Sequence, residues 1–232
     1  MENVDSINKL IKEFEDFTVY LSKLTVNEST VTLKHVATGK YLSSNANLRY
    51  KTGSSSQLVF AENSKFSPNS LWRIKFINNE LANYGSTRIN LQHVLSNSFL
   101  EINYGKYYCD FYGSRSEYLY HKSPSANYTE VSCDNITNHS YWVKDWEFNH
   151  AKIGNHQGFL KSNDIINLRI KKFYNNNGIY CENGQYEFLR SHDIQFTVGN
   201  DTFQEVVCHN ERLGGNDEWC IELIKQHTWT LI

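Results

Sequence analysis

The chain has 232 residues, 23 basic and 25 acidic, a formal net charge of -2, and 14% aromatic residues. No stretch gathers Lys and Arg into the patch that phosphate-backbone binding requires, so nucleic acid is not an expected partner. No apolar run approaches the roughly 20 residues of a spanning helix, and the first residues lack the basic and apolar regions of a secretory leader. Five cysteines without tight pairs suit a reducing compartment, and a cytoplasmic protein is expected.

Residues 4–16 carry Ile7, Leu10, Ile11 and Phe14 at i, i+3, i+4 and i+7 with charges on the other faces, which predicts an amphipathic helix capped by Asp5 or Ser6. Residues 1–18 are read as this helix and its lead-in, and residues 19–232 as one β domain. The apolar stripe needs a partner surface. Docking on the chain's own barrel is expected, with pairing between protomers or with another protein as the alternative, so the protein is a monomer or a helix-mediated dimer. Residues 17–28 read as a short strand or coil.

From residue 29 onward an outline recurs three times. Trp72, Trp146 and Trp219 open short apolar alternations and stand 74 and 73 residues apart. Each unit starts with a period-two alternation, Val31 to His35, Ile89 to His93 and Ile166 to Ile170, followed by a partner strand at residues 39–42, 98–100 and 178–181. Such alternation, bounded by Gly, Asn and Ser, marks half-buried strands. Four strands in each of three units, at about 29–78, 84–150 and 162–224, predict a closed barrel of pseudo-threefold symmetry.

The run Leu33-Lys34-His35-Val36-Ala37-Thr38-Gly39-Lys40-Tyr41-Leu42, with Ser55 to Val59 and Leu71-Trp72-Arg73-Ile74, resembles the MIR motif. That motif is shared by protein O-mannosyltransferases, inositol trisphosphate receptors and ryanodine receptors. Residues 84–93 resemble the start of a second copy, while the third departs, with Ile170 in place of His. The resemblance implies an all-β fold, a β-trefoil with hairpin cap. It also implies a binding module with varied partners, not a catalyst.

The intervals between the second strand and the next apolar strand differ: 17 positions from Leu42 to Val59, 31 from Leu100 to Val131 and 25 from Cys181 to Val206. The extra residues of the second unit are rich in tyrosine. Loops on rigid scaffolds are common recognition sites, and tyrosine combines contact area with a hydroxyl. The candidate binding residues are therefore Tyr107, Tyr108, Tyr112, Arg115 and Tyr118, with Tyr112 and Arg115 at the hairpin tip. The alternative is that these rings pack on one another and on the barrel. The expected ligand is a protein or a glycan.

Little points to catalysis. His35 and His93 hold equivalent positions and read as hydrogen-bonded framework residues. Cys133 and Cys208 read as small core residues, and Lys171-Lys172 as a solvated face. No metal-binding spacing, phosphate loop or nucleophile elbow occurs, so no metal or cofactor is expected. Glu101, Asp110, Glu117 and Glu130 could supply a carboxylate pair for glycoside hydrolysis, but their spacing does not specify one. A glycan-processing enzyme or accessory domain is the alternative, and an interaction protein using the N-terminal helix is another. The apolar tail from Trp229 to Ile232 is expected to pair with residues 17–21.

Overall fold

Alternation decides most of the strands. In Trp72-Arg73-Ile74-Lys75-Phe76 the odd members are buried and the even ones half-exposed, the period that a pleated strand imposes. The computed structural model describes residues 2–65, 67–77, 81–108, 116–135 and 142–227. Helix α1, Glu2–Lys23, is followed by β1 Thr30–His35, β2 Tyr41–Arg49, β3 Gln57–Glu62, β4 Trp72–Phe76 and β5 Arg88–His93. Then come β6 Phe99–Tyr108, β7 Ser116–Tyr120, β8 Thr129–Glu130, β9 Ser132–Asp134, β10 Trp142–Val143 and β11 Trp146–His150. The chain continues through β12 Ile165–Tyr174, β13 Tyr180–Val198, β14 Asp201–His209 and β15 Trp219–Lys225. The described residues are thus all-β apart from one N-terminal helix.

The barrel closes through antiparallel pairings that run β1–β4, β4–β5, β5–β11, β11–β12, β12–β15 and back to β1. The three tryptophans hold it. Trp72 lies between Val31 and His93, Trp146 between Ile89 and Ile170, and Trp219 between Ile166 and His35. All three are fully buried. Their indole N–H groups donate to the carbonyls of Leu42 (2.9 Å), Leu100 (2.9 Å) and Leu189 (3.0 Å), so each large ring is buried without an orphaned donor. Around them pack Val31, Leu33, Ile74, Leu91, Leu168 and Ile221 in one continuous core.

His35 and His93 behave as framework residues. His35 bonds Thr38 Oγ1 and the Asn216 carbonyl, both at 2.9 Å. His93 bonds Ser96 Oγ at 2.9 Å and the Asn69 carbonyl at 3.1 Å. In each case the carbonyl lies three residues before a tryptophan, and the imidazole packs against that tryptophan's ring. Burial lowers both histidine pKa values, so the rings stay neutral and one nitrogen can accept.

One end of the barrel is capped by the hairpins β2–β3, β6–β9 and β13–β14, joined to one another through β3–β9, β3–β14 and β8–β14. Cys133 and Cys208 are buried in the core here, as expected of small apolar side chains.

Three expectations need correction. First, α1 continues to Lys23 where a strand or coil was expected. The alternation of residues 17–21 is also a helical pattern, nothing there breaks a helix, and the hydroxyls of Thr18 and Ser22 fold back onto the carbonyls of Phe14 and Val19. Second, α1 does not dock on the barrel: Ile7, Leu10, Ile11, Phe14, Phe17 and Leu21 are all exposed. Residues 17–21 are therefore not paired as a strand, and the tail from residue 228 lies outside the described residues. Third, the strand expected at residues 178–181 does begin there, as β13 from Tyr180, but it runs on to Val198 and meets the tryptophan far from its start. The carbonyl that Trp219 meets is that of Leu189, which precedes Val206 by the same 17 positions that separate Leu42 from Val59. The additional residues of this unit instead extend the β12–β13 hairpin: seven positions separate His35 from Leu42 and His93 from Leu100, but nineteen separate Ile170 from Leu189.

Candidate ligand cavity between two insertions

The two places where the chain exceeds its shortest unit come together. The β6–β7 hairpin is register-paired from Tyr104↔Tyr120 to Tyr108↔Ser116. The extended end of β12–β13 lies against it, with Tyr174 stacked on Tyr118 at 4.8 Å and tilted onto Tyr104 at 5.0 Å. The Phe173 amide donates to Tyr120 Oη at 3.1 Å. At the tip of the extension, Asn175 Oδ1 accepts from the amides of Asn177 and Ile179 at 2.9 and 3.0 Å. Gly178 follows with φ +71°, and a Cβ there would stand 2.8 Å from Glu117 Cβ. Only glycine allows both the turn and the close approach.

Beneath this contact lies a charged pair. Lys172 Nζ donates to Glu187 Oε1 at 2.8 Å and to Thr129 Oγ1 at 3.1 Å, and stands 4.6 Å from the centre of the Tyr120 ring. The two side chains are 3% and 7% exposed, so Lys172 is not on the solvated face expected for it. Burying a charge is tolerable only with a close opposite charge and further hydrogen bonds, and Glu187, Thr129 and Tyr120 supply these from three elements.

Beside the pair opens a cavity of about 510 Å³, lined by Thr52, Gly53, Tyr107, Leu119, Tyr120, His121, Lys122, Ser123, Pro124 and Asn176. All three units contribute: Thr52 and Gly53 from the β2–β3 turn, Asn176 from the β12–β13 tip and the rest from the second insertion. The Thr52–Gly53 wall is fixed from behind by Glu130, whose carboxylate accepts from the Ser54 hydroxyl and amide. Gly53, at φ +70°, leaves no space for a Cβ against that carboxylate. Burial pushes Glu130 up to about 7, with the Ser54 bonds opposing. Burial lowers the pKa of His121. It lowers Lys122 as well, with the Lys172 charge adding and Glu187 opposing. The cavity thus presents aromatic rings, a hydroxyl, an amide, an uncharged imidazole and an ammonium group.

Of the candidate binding residues, Tyr107 lines the cavity and is 46% exposed. Tyr118 turns away from it, packed between Tyr104 and Tyr174. Tyr108 is the last residue of β6, and Tyr112 and Arg115 lie outside the described residues. Within the insertion, Tyr104, Tyr118 and Tyr120 thus pack on one another and on Tyr174, while Tyr107 faces the cavity. Sequence reading missed Thr52, Gly53, residues 121–124 and Asn176. The 17-residue step back from Val206 to Leu189 was the signal that would have placed the second insertion. Of the four carboxylates considered for glycoside hydrolysis, Glu101 and Glu130 are almost wholly buried, at 1% and 2% exposure, and Asp110 lies outside the described residues. Among the described residues, no three of His, Cys, Asp or Glu cluster as metal ligands would.

No protein-family model and no curated protein matches the chain. Solved structures do. An SDF2-like protein from Arabidopsis thaliana aligns with a TM-score of 0.61 at 20% identity, over 88% of this chain and 99% of that one. A Caenorhabditis elegans protein of unknown function aligns with 0.61 at 19%, over 87% and 97%. The Saccharomyces cerevisiae protein O-mannosyltransferase Pmt1-Pmt2 complex, bound to the sugar donor, aligns with 0.58 at 19%, over 86% of this chain but only 26% of that one. At these identities the likeness is one of fold. It is the MIR-type fold to which the motif around His35 also points.

Proposed function

We propose that the chain is a three-unit MIR-type β-trefoil acting as a binding module, and that the cavity between its two insertions takes a glycan of one or two sugar units. The observation that carries this is the composite cavity itself: the chain departs from its shortest unit in two places, and both departures wall one space. The equivalent settings of Trp72, Trp146 and Trp219 support the threefold reading. A cavity of this volume is ligand-sized. The exposed Tyr107 ring suits the apolar face of a pyranose, and Thr52, Asn176, His121 and Lys122 suit its hydroxyls. A flat protein surface would not need such a recess. Binding is favoured over turnover because the buried carboxyls of Glu130 and Glu101 face away from solvent. The described free thiols of Cys133, Cys181, Cys208 and Cys220 support a reducing compartment such as the cytoplasm as the place of action.

A glycan array probed with the purified protein tests this, followed by titration of the best hit into Tyr107→Ala and Asn176→Ala. A loss of affinity of about three- to tenfold in each variant is expected, since a contact on one aromatic face, or one hydrogen bond from an amide, is worth roughly 0.5–1.5 kcal/mol. Array binding that both variants retain in full would move the site elsewhere.

A further inference from the structure

The exposed face of α1 has a second regularity. Ile7, Leu10, Phe14, Phe17 and Leu21 follow one another at steps of three, four, three and four, the spacing that keeps an apolar seam on one side of a helix wound against another. Ile11 widens the seam by one position. These six side chains are between 43% and 72% exposed. Among the described residues, the helix is tied to the barrel near its end, by Ser162 N donating to Lys23 O at 2.8 Å, Gln226 Nε2 to Leu21 O at 3.2 Å, and the Lys161 ammonium 5.4 Å from the Tyr20 ring. The seam stands clear of the fold that carries it.

We propose that a second copy of this chain covers the seam, α1 packing on α1 about a two-fold axis. Two observations choose that occupant. Positions flanking such a seam select a foreign partner by complementary charge, but here they are Ser6, Ile11, Glu13, Thr18 and Tyr20, with one charge among them. Self-pairing therefore meets little like-charge repulsion, and no charge code for a different helix is present. The rest of α1 carries Glu2, Asp5, Glu15 and Asp16 against Lys9, Lys12 and Lys23, an acidic excess that anionic headgroups repel, whereas helices that lie on membranes are basic on their polar face. The area also fits. Six side chains of the order of 200 Å² each, somewhat over half exposed, offer at most about 700 Å² per copy. The total of up to about 1,400 Å² falls within the range of specific interfaces.

Sedimentation equilibrium of the full chain from about 1 to about 200 µM tests this. A monomer–dimer equilibrium is expected, with Phe14→Glu/Phe17→Glu monomeric throughout and Asp16→Lys, on the opposite face, still dimeric. Near-ultraviolet circular dichroism of the buried tryptophans verifies that each variant keeps its barrel. Three results would overturn the proposal: a wild type that stays monomeric at the highest concentration, a dimer that survives the double substitution, or a monomer whose Phe14 and Phe17 are needed to float with phosphatidylcholine or phosphatidylserine vesicles.

Discussion

Glu101 stands on β6 opposite Ser132, almost wholly buried. Burial first, and then the neighbouring charge of Asp134, push its carboxyl up to about 8, with Asn103 and Lys144 opposing. The native state therefore holds this proton until about pH 8, while the unfolded chain releases it near the ordinary carboxylate value. Between those limits the native state binds more protons than the unfolded one, so stability falls as pH rises across the window. Glu130 adds a slope of the same sign up to about pH 7. Glu101→Gln keeps the shape and removes the ionisable group. It should leave stability nearly unchanged at pH 4 and raise it by about 1–3 kcal/mol at pH 8, read from urea unfolding at both pH values. A gain that is equal at both would show that Glu101 titrates normally. At this scale, legibility depended on where a residue's partners come from. The histidine pair was readable because His35 and His93 repeat the same local motif. Lys172 was not, because what buries it arrives from another unit, in the form of Tyr120 and Thr129.

Among the elements, the two insertions were legible to different degrees. The β6–β7 hairpin announced itself as an overlong interval full of tyrosines. The β12–β13 extension was hidden by its own Gly178-Ile179-Tyr180, which imitates the Gly39-Lys40-Tyr41 that opens the second strand of the first unit. Residues 178–181, at the start of β13, were thereby matched in place of Leu189 further along the same strand, and the extra length was assigned to the wrong loop. The amphipathic helix was read correctly in kind but cut short, because residues 17–21 alternate as well as they follow a helical stripe. Beneath the contact between the insertions, the Lys172–Glu187 pair holds the β12–β13 hairpin and reaches across to Thr129. Removing one member leaves the other charge buried and unpaired, so Lys172→Met should cost about 3–5 kcal/mol in urea unfolding, and adding Glu187→Leu should recover most of that loss. Additive losses in the double variant would mean that the two side chains act separately.

For the molecule as a whole, the question is whether Trp72, Trp146 and Trp219 play one structural part in unlike surroundings. The third unit has lost the framework histidine, with Ile170 in its place, and carries the long hairpin extension. Yet Trp146, which faces that isoleucine, buries its ring and bonds Leu100 as Trp72 bonds Leu42 and Trp219 bonds Leu189. The barrel pairing is thus carried by the tryptophan and the carbonyl seven residues past the first strand, or nineteen past it in the extended unit, and not by the histidine. If so, Trp72→Phe, Trp146→Phe and Trp219→Phe each lose one buried hydrogen bond and part of one ring. Each should cost about 2–4 kcal/mol, with the three agreeing within about 1 kcal/mol. The competing view makes the histidines the organisers. His35 packs on Trp219 and His93 on Trp72, so Trp146→Phe would then be markedly milder than the other two. Equilibrium unfolding of the three variants decides between these, because only in the first case does the cost ignore which tryptophan has lost its histidine.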